Sequence, residues 1–184
     1  LLNTKVRFPP GVYADVRIER VAKWELTIRD GELEAVVPAV EVGALLRVLK
    51  NGSWYYSYTT ELENIDAKLD EMSQNEALGV GQNQGVEDLL EPHQASHRQF
   101  DEVRVDQISI HRKRDELCSR LHLLEHPNIQ SWTAHWSDVH RDRRFLSSKG
   151  ADVSHGYQEC GLSYRFSLAH KEETFTESFR RGSN

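Results

Sequence analysis

From Tyr13 onward, apolar and polar positions alternate. Val16 and Ile18 fall on one face, Arg17 and Glu19 on the other, and the parity resumes after residue 23 with Trp24, Leu26 and Ile28. A period of two is that of a half-buried β-strand. Asp30-Gly31 then predicts a two-residue hairpin, because both central residues of such a turn need positive φ. The chain returns through residues 33–42, with Pro38 marking an edge or a bulge. Residues 42–49 are apolar on both faces, the pattern of a covered strand. Asn51-Gly52 is a second hairpin signal, after which Trp54, Tyr56 and Tyr58 alternate with Ser53, Tyr55 and Ser57. Aromatic residues at this spacing line one strand face, as core or as partner contact. Thr60 reads as a helix cap with Glu61 and Glu63 in the first turn, and Leu62, Ile65, Leu69 and Met72 follow at helical spacing.

The pattern then lapses. Glycines 79, 81 and 85 and several Gln and Asn residues make a polar connector, with a short helix at 86–90. Order returns near residue 103. Ser109 can cap a helix over 110–125 whose apolar side is Ile110, Leu117, Leu121 and Leu124, and Pro127 ends it. Trp132, Ala134 and Trp136 alternate as a strand, residues 138–144 are expected to turn the chain, and Phe145-Leu146 to begin the return. Ser148-Lys149-Gly150 is another turn, followed by strand-like stretches at 153–160 and 162–169 and a tail over 172–184 that closes no element.

This sequence of elements implies an α+β chain with two sub-structures of mainly antiparallel strands packed with helices. The expected divisions are residues 12–73 (strand meander plus helix), 74–102 (flexible connector) and 103–184 (helix plus antiparallel strands, expected to be truncated). The chain has 184 residues, 38% hydrophobic and 28% charged, enough for a buried core. No apolar run approaches the roughly 20 residues that cross a bilayer, and no cationic-then-apolar leader is present, so the expected location is the cytoplasm. The first residue is Leu rather than Met, and a fragment is expected. A net charge of −6 argues against general nucleic-acid binding. The local basic run at residues 140–144 is either a phosphate contact or a solvated turn. Cys118 and Cys160 stand far apart and form no C-x-x-C, as in a reducing compartment.

The sharpest chemical motif is His122-Leu123-Leu124-Glu125-His126, an H-x-x-E-H spacing. On a continuous α-helix, His122 and His126 would share a face and hold zinc while Glu125 acted as base, the arrangement of a stand-alone zinc hydrolase. Against this, Pro127 ends the helix at once, and a histidine near a helix C-terminus is accounted for by the helix dipole. Six other histidines (His93, His97, His135, His140, His155 and His170) show no ligand spacing, and no P-loop, G-x-S-x-G or dinucleotide loop occurs. No catalytic residue is assigned. Trp54, Tyr56, Trp132 and Trp136 are the candidate peptide or subunit contacts.

Two runs, residues 13–20 with 28–34 and residues 46–54 with the Ser/Thr-rich strand after them, resemble the amino-terminal domain of the TldD/PmbA family. Residues 108–124 and 132–150 resemble its next region. Members, often called modulators of DNA gyrase, are zinc metallopeptidases or their inactive partners, more than twice this length. The resemblance therefore implies a non-catalytic amino-terminal and central portion, contributing subunit pairing and access for unfolded peptide substrates in a homo- or hetero-dimer. Zinc is expected in a full-length active member, on an H-E-x-x-x-H helix completed by a later cysteine. This chain has no His-Glu dipeptide, so no cofactor is expected in it and it is expected to be inactive alone. It departs from the family pattern at Tyr55, where glycine is usual, at Tyr58, and at the Pro9-Pro10-Gly11 break where the family has a helix. The remaining alternative is a regulatory or peptide-binding module.

Overall fold

A computed structural model describes residues 4–75, 81, 83, 85–99 and 103–183. The fold is α+β and its strands are long: β1 Tyr13–Arg29, β2 Glu32–Lys50, β3 Ser53–Thr59, β4 Gln94–Arg98, β5 Ile129–Ser147, β6 Asp152–His170 and β7 Glu173–Ser183. They form one mostly antiparallel sheet in the order β3-β2-β1-β5-β6-β4, with β7 also on β6. The exception is β4, which runs parallel to the start of β6. Among the described residues two α-helices accompany the sheet, α1 Ile65–Gln74 and α2 Ile110–Cys118.

Contacts divide the chain into two compact units that are not sequential. Unit 1 holds Leu1–Arg20, Glu41–Arg98 and Asp142–Gly156; unit 2 holds Val21–Val40, Gln99–Arg141 and Tyr157–Asn184. β1, β2, β5 and β6 therefore contribute segments to both.

In unit 1, Ala14, Val16 and Ile18 of β1 and Ala44, Leu46 and Val48 of β2 share the sheet face that meets Ile65, Leu69 and Met72 of α1. Both two-residue turns form as their chemistry requires. Asp30 and Gly31 sit at φ 47° and 91°, Asn51 and Gly52 at 51° and 73°. The register across the second turn runs from Lys50 opposite Ser53 to Ala44 opposite Thr59. The helical entry lies later than the Thr60 cap expected, with Glu61 before the first turn and Asn64 before α1, and neither caps with its side chain. The Thr59 hydroxyl accepts from the Glu61 amide at 3.1 Å, and a single 3₁₀ turn, Leu62–Asn64, precedes the helix.

In unit 2, Leu117 and Leu124 pack with Leu26, Ile28, Ala134, Trp136 and Tyr164. The helix over 110–125 is shorter than its periodicity predicts. It stops at Cys118 and resumes as a 3₁₀ turn, Leu121–Leu124. Side chains take the carbonyls that further helix would have used. Ser119 Oγ donates to Glu116 O at 2.7 Å and Tyr164 Oη donates to Leu117 O at 3.1 Å.

Residues 138–144 do not turn the chain. They continue β5, so Phe145-Leu146 is the end of that strand rather than the start of another. Even-numbered residues keep the buried face, and Trp136 is followed there by the buried Asp138 and His140. The sequence pattern misleads because a buried carboxylate reads as a turn residue until its partner is seen. That partner is Lys113 of α2, whose Nζ lies 2.7 Å from Asp138 Oδ2 with both side chains at 0% exposure. The basic run at 140–144 is strand as well. Arg143 Nε donates to Glu19 at 2.9 Å, and Arg144 makes a two-point pair with Asp152 at 2.8 Å. β6 passes through Cys160-Gly161 without a break, and the tail closes β7 against it, from His170 opposite Glu173 to Cys160 opposite Ser183. The glycine- and glutamine-rich positions 76–80, 82 and 84 lie outside the described residues. The strand β4 that follows is exposed throughout, and Ala95 alone gives no apolar alternation for a sequence reading to find.

Candidate functional site

The sheet face of unit 1 that points away from α1 carries the candidate surface. Strand parity puts Tyr13, Asp15 and Arg17 on this face of β1, and Leu45, Arg47 and Leu49 on this face of β2. Register then brings Tyr58 beside Leu45, Tyr56 beside Arg47 and Trp54 beside Leu49. Tyr55, on the opposite parity, packs against the α1 core.

The centre of this face is an ion pair. Arg47 Nε donates to Asp15 Oδ1 at 2.9 Å and Nη2 to Oδ2 at 2.7 Å, while Asp15 is fully buried. A two-point guanidinium–carboxylate pair fixes both groups in one plane. The Arg47 guanidinium in turn lies 4.7 Å from the centre of the Trp54 ring. Tyr13 meets Trp54 edge-on at 5.8 Å, and Trp54 lies 6.4 Å from Tyr56. Burial, reinforced by the Asp15 carboxylate, pushes the Tyr13 phenol up to about 12. The Asp15 pair holds the Arg47 guanidinium above its ordinary range. The inner residues are thus locked, whereas Tyr56 and Tyr58 are 63% and 80% exposed and Leu45 is 38% exposed. Because β3 ends the strand order, this aromatic ladder stands on the last strand of the sheet.

Trp132 and Trp136 sit in unit 2 and differ from the ladder. Trp136 is buried and its indole Nε1 donates to Asp138 Oδ2 at 2.6 Å. Trp132 is half-buried against the core, and its amide donates to Asp30 Oδ1 at 2.7 Å. Trp136 is therefore a core side chain, Trp132 lies at the edge of the core beside Thr27, Arg29 and His135, and Trp54 and Tyr56 stand on the face away from α1. Sequence reasoning treated all four alike because alternation assigns residues to faces without saying which face a helix covers.

The H-x-x-E-H segment is not a helical face. His122 lies in the 3₁₀ turn and His126 beyond it. A 3₁₀ turn has three residues per turn, so positions four apart do not align. His122 Nδ1 is 3.1 Å from Ser119 O, and His126 Nδ1 accepts from the Asn128 amide at 3.2 Å. Among the described residues no three His, Cys, Asp or Glu side chains converge as metal ligands. The described residues do not fit a zinc centre. Another histidine pair does come together: His97 on β4 and His155 on β6 are in register and stack at 5.7 Å. Burial pushes the Cys160 thiol up, away from the thiolate that a nucleophile needs.

The sequence pattern of PmbA/TldA metallopeptidase domain 1 matches residues 14–76. Over that region the chain carries the sequence pattern of that domain. The matched span holds β1 to α1, and so both turns, the Asp15–Arg47 pair and the aromatic ladder. A metalloprotease of Methanocaldococcus jannaschii is 23% identical over 154 residues, covering 82% of this chain and 34% of that protein. The fold recurs in a candidate modulator of a DNA gyrase from Thermotoga maritima, with a TM-score of 0.73 at 15% identity over 94% of this chain and 40% of the other. TldE from Thermococcus kodakarensis gives 0.66 at 9% identity, over 92% and 39%. The chain thus spans between a third and two-fifths of the length of these proteins. No helix among the described residues is long and apolar enough to cross a membrane.

Proposed function

We propose that this chain acts as a non-catalytic, domain 1-bearing portion of a TldD/PmbA-type metallopeptidase-family protein in the cytoplasm. In this reading it pairs with a second TldD/PmbA-like subunit, as homo- or hetero-dimer, and helps admit unfolded peptide for proteolysis carried out elsewhere. Zinc would belong to a full-length active member and not to these residues, because the H-E-x-x-x-H ligands have no counterpart here. The observation that carries the reading is the exposed ladder of Leu45, Tyr56 and Tyr58 on the terminal strand β3, rigidly backed by Trp54, Arg47 and Asp15. Rigid, half-wet aromatic side chains bury area at low entropic cost. An end strand also accepts a further strand by main-chain pairing.

The test is to mix the 184-residue chain with a purified full-length TldD/PmbA-family subunit and follow complex formation by analytical ultracentrifugation. Tyr56→Ser/Tyr58→Ser should weaken pairing at least about tenfold, as expected for two central aromatic contacts, with thermal unfolding unchanged. Pairing of undiminished affinity in the double variant would overturn the reading.

A further inference from the structure

Unit 2 holds a groove of about 620 Å³ between the α2–β5 connection and the outer strands β6 and β7. Its wall is apolar: Leu123, Phe166, Leu168 and Phe179 contribute, with Leu123 and Phe179 open to solvent at 67% and 56%. Tyr164 also lines it; its hydroxyl donates to Leu117 O and accepts from Arg120. Charge enters from one sign only. Arg120 and Arg181 line the groove together with His126, and no acidic side chain does. Arg120 pairs with Glu116 at 3.5 Å between half-exposed groups and also reaches the Tyr164 hydroxyl. A pair of that kind is worth little and exchanges readily for a better acceptor. Arg181 makes no ion pair among the described residues. Glu177, on the same face of β7, lies about 13 Å away along the strand and cannot reach it.

We propose that this groove binds the carboxy-terminus of a peptide ending in bulky apolar residues. The terminal carboxylate would be taken by Arg120 and Arg181 and the last side chains by the apolar wall. A volume in this range suits a small-ligand pocket, and guanidinium forks match a carboxylate in two-point geometry. Two cations in an apolar groove without an acid select an anion carrying an apolar body. The inference rests on the peptide-handling part of the proposed function but uses none of the β3 ladder.

The test is fluorescence anisotropy on the 184-residue chain, with an amino-terminally labelled Gly-Ser-Gly-Ser-Leu-Phe peptide as free acid and as carboxy-terminal amide. The free acid should bind at least tenfold tighter than the amide. Arg120→Ala/Arg181→Ala should abolish that preference, and Leu123→Glu, at an exposed position, should weaken both peptides. Equal binding of acid and amide, or a preference that survives removal of both arginines, overturns the proposal. So does decanoate displacing the peptide with higher affinity than the peptide itself, since the groove would then be a lipid site. Persistence of the acid preference in Tyr56→Ser/Tyr58→Ser, whatever happens to subunit pairing, separates failure of this proposal from failure of the other.

Discussion

Replacing Lys113 with Met should be among the most damaging single changes in unit 2. The ammonium and the Asp138 carboxylate are each within 2% of full burial, 2.7 Å apart, and the ammonium also lies 5.1 Å from the Trp24 ring centre. Methionine matches the lysine stem in length and apolar character, so the buried volume is kept. What is lost is the counter-charge. Asp138 then retains the Trp136 indole at 2.6 Å as donor to Oδ2, while Oδ1 has no hydrogen-bond partner among the described residues. Removing one member of a buried pair costs about 3–5 kcal/mol, a large share of the roughly 5–15 kcal/mol that separates folded from unfolded protein. With a guanidinium dependence of about 4 kcal/mol per molar, the denaturation midpoint should fall by about 1 M. The companion variant is Lys113→Met/Asp138→Asn, which removes both charges but keeps an acceptor for Trp136. It should cost only about 1–3 kcal/mol, the penalty of an imperfectly satisfied buried amide. The double variant should therefore be more stable than the single one. A Lys113→Met cost below about 1 kcal/mol, or a double variant less stable than Lys113→Met, would refute the claim that the pair is held by mutual charge compensation.

Three further outcomes are expected. Tyr13, raised from its ordinary 10.0 to about 12, contributes stability that is complete below about pH 10 and lost as pH rises toward 12. The wild type should lose up to about 3 kcal/mol more than Tyr13→Phe across that window in denaturant titrations, and parallel losses would contradict it. The Arg144 guanidinium holds the Asp152 carboxyl below its usual range, so its contribution is present above about pH 4 and fades as pH falls through the lowered value. Because Asp152 is 39% exposed, Asp152→Asn should cost only about 0.5 kcal/mol at neutral pH and nothing at pH 2, which acid-dependent melting can check. Asn51 sits at φ 51° in the second hairpin turn. Asn51→Val should therefore cost about 1–2 kcal/mol while Asn51→Gly stays within about 0.5 kcal/mol, and equal stabilities would argue against a left-handed turn residue.

Local chemistry made much of the framework legible. Asp30-Gly31 and Asn51-Gly52 call for positive φ wherever they occur, so the hairpins and the alternation they join could be read without tertiary information. The same holds for the α1 stripe of Ile65, Leu69 and Met72. The family signature lies in this part of the chain, where short-range constraints are strongest. Other features were settled only by packing. Asp138 and His140 look like turn residues until Lys113 arrives from α2 to accompany a buried carboxylate, and β5 then runs through them. The helix signal over 110–125 is cut at Cys118 because Tyr164, 47 residues away, supplies a donor to the Leu117 carbonyl. That interruption removes the helical alignment of His122 and His126 and, with it, the most explicit chemical motif in the chain. The aromatic alternation of Trp54, Tyr56 and Tyr58 was visible from the outset, but only the placement of α1 on the opposite face decides that these side chains form a surface. A sequence specifies periods, turns and caps because these depend on neighbours a few residues apart; which face is covered and which charge is compensated depend on partners that only the folded chain brings near.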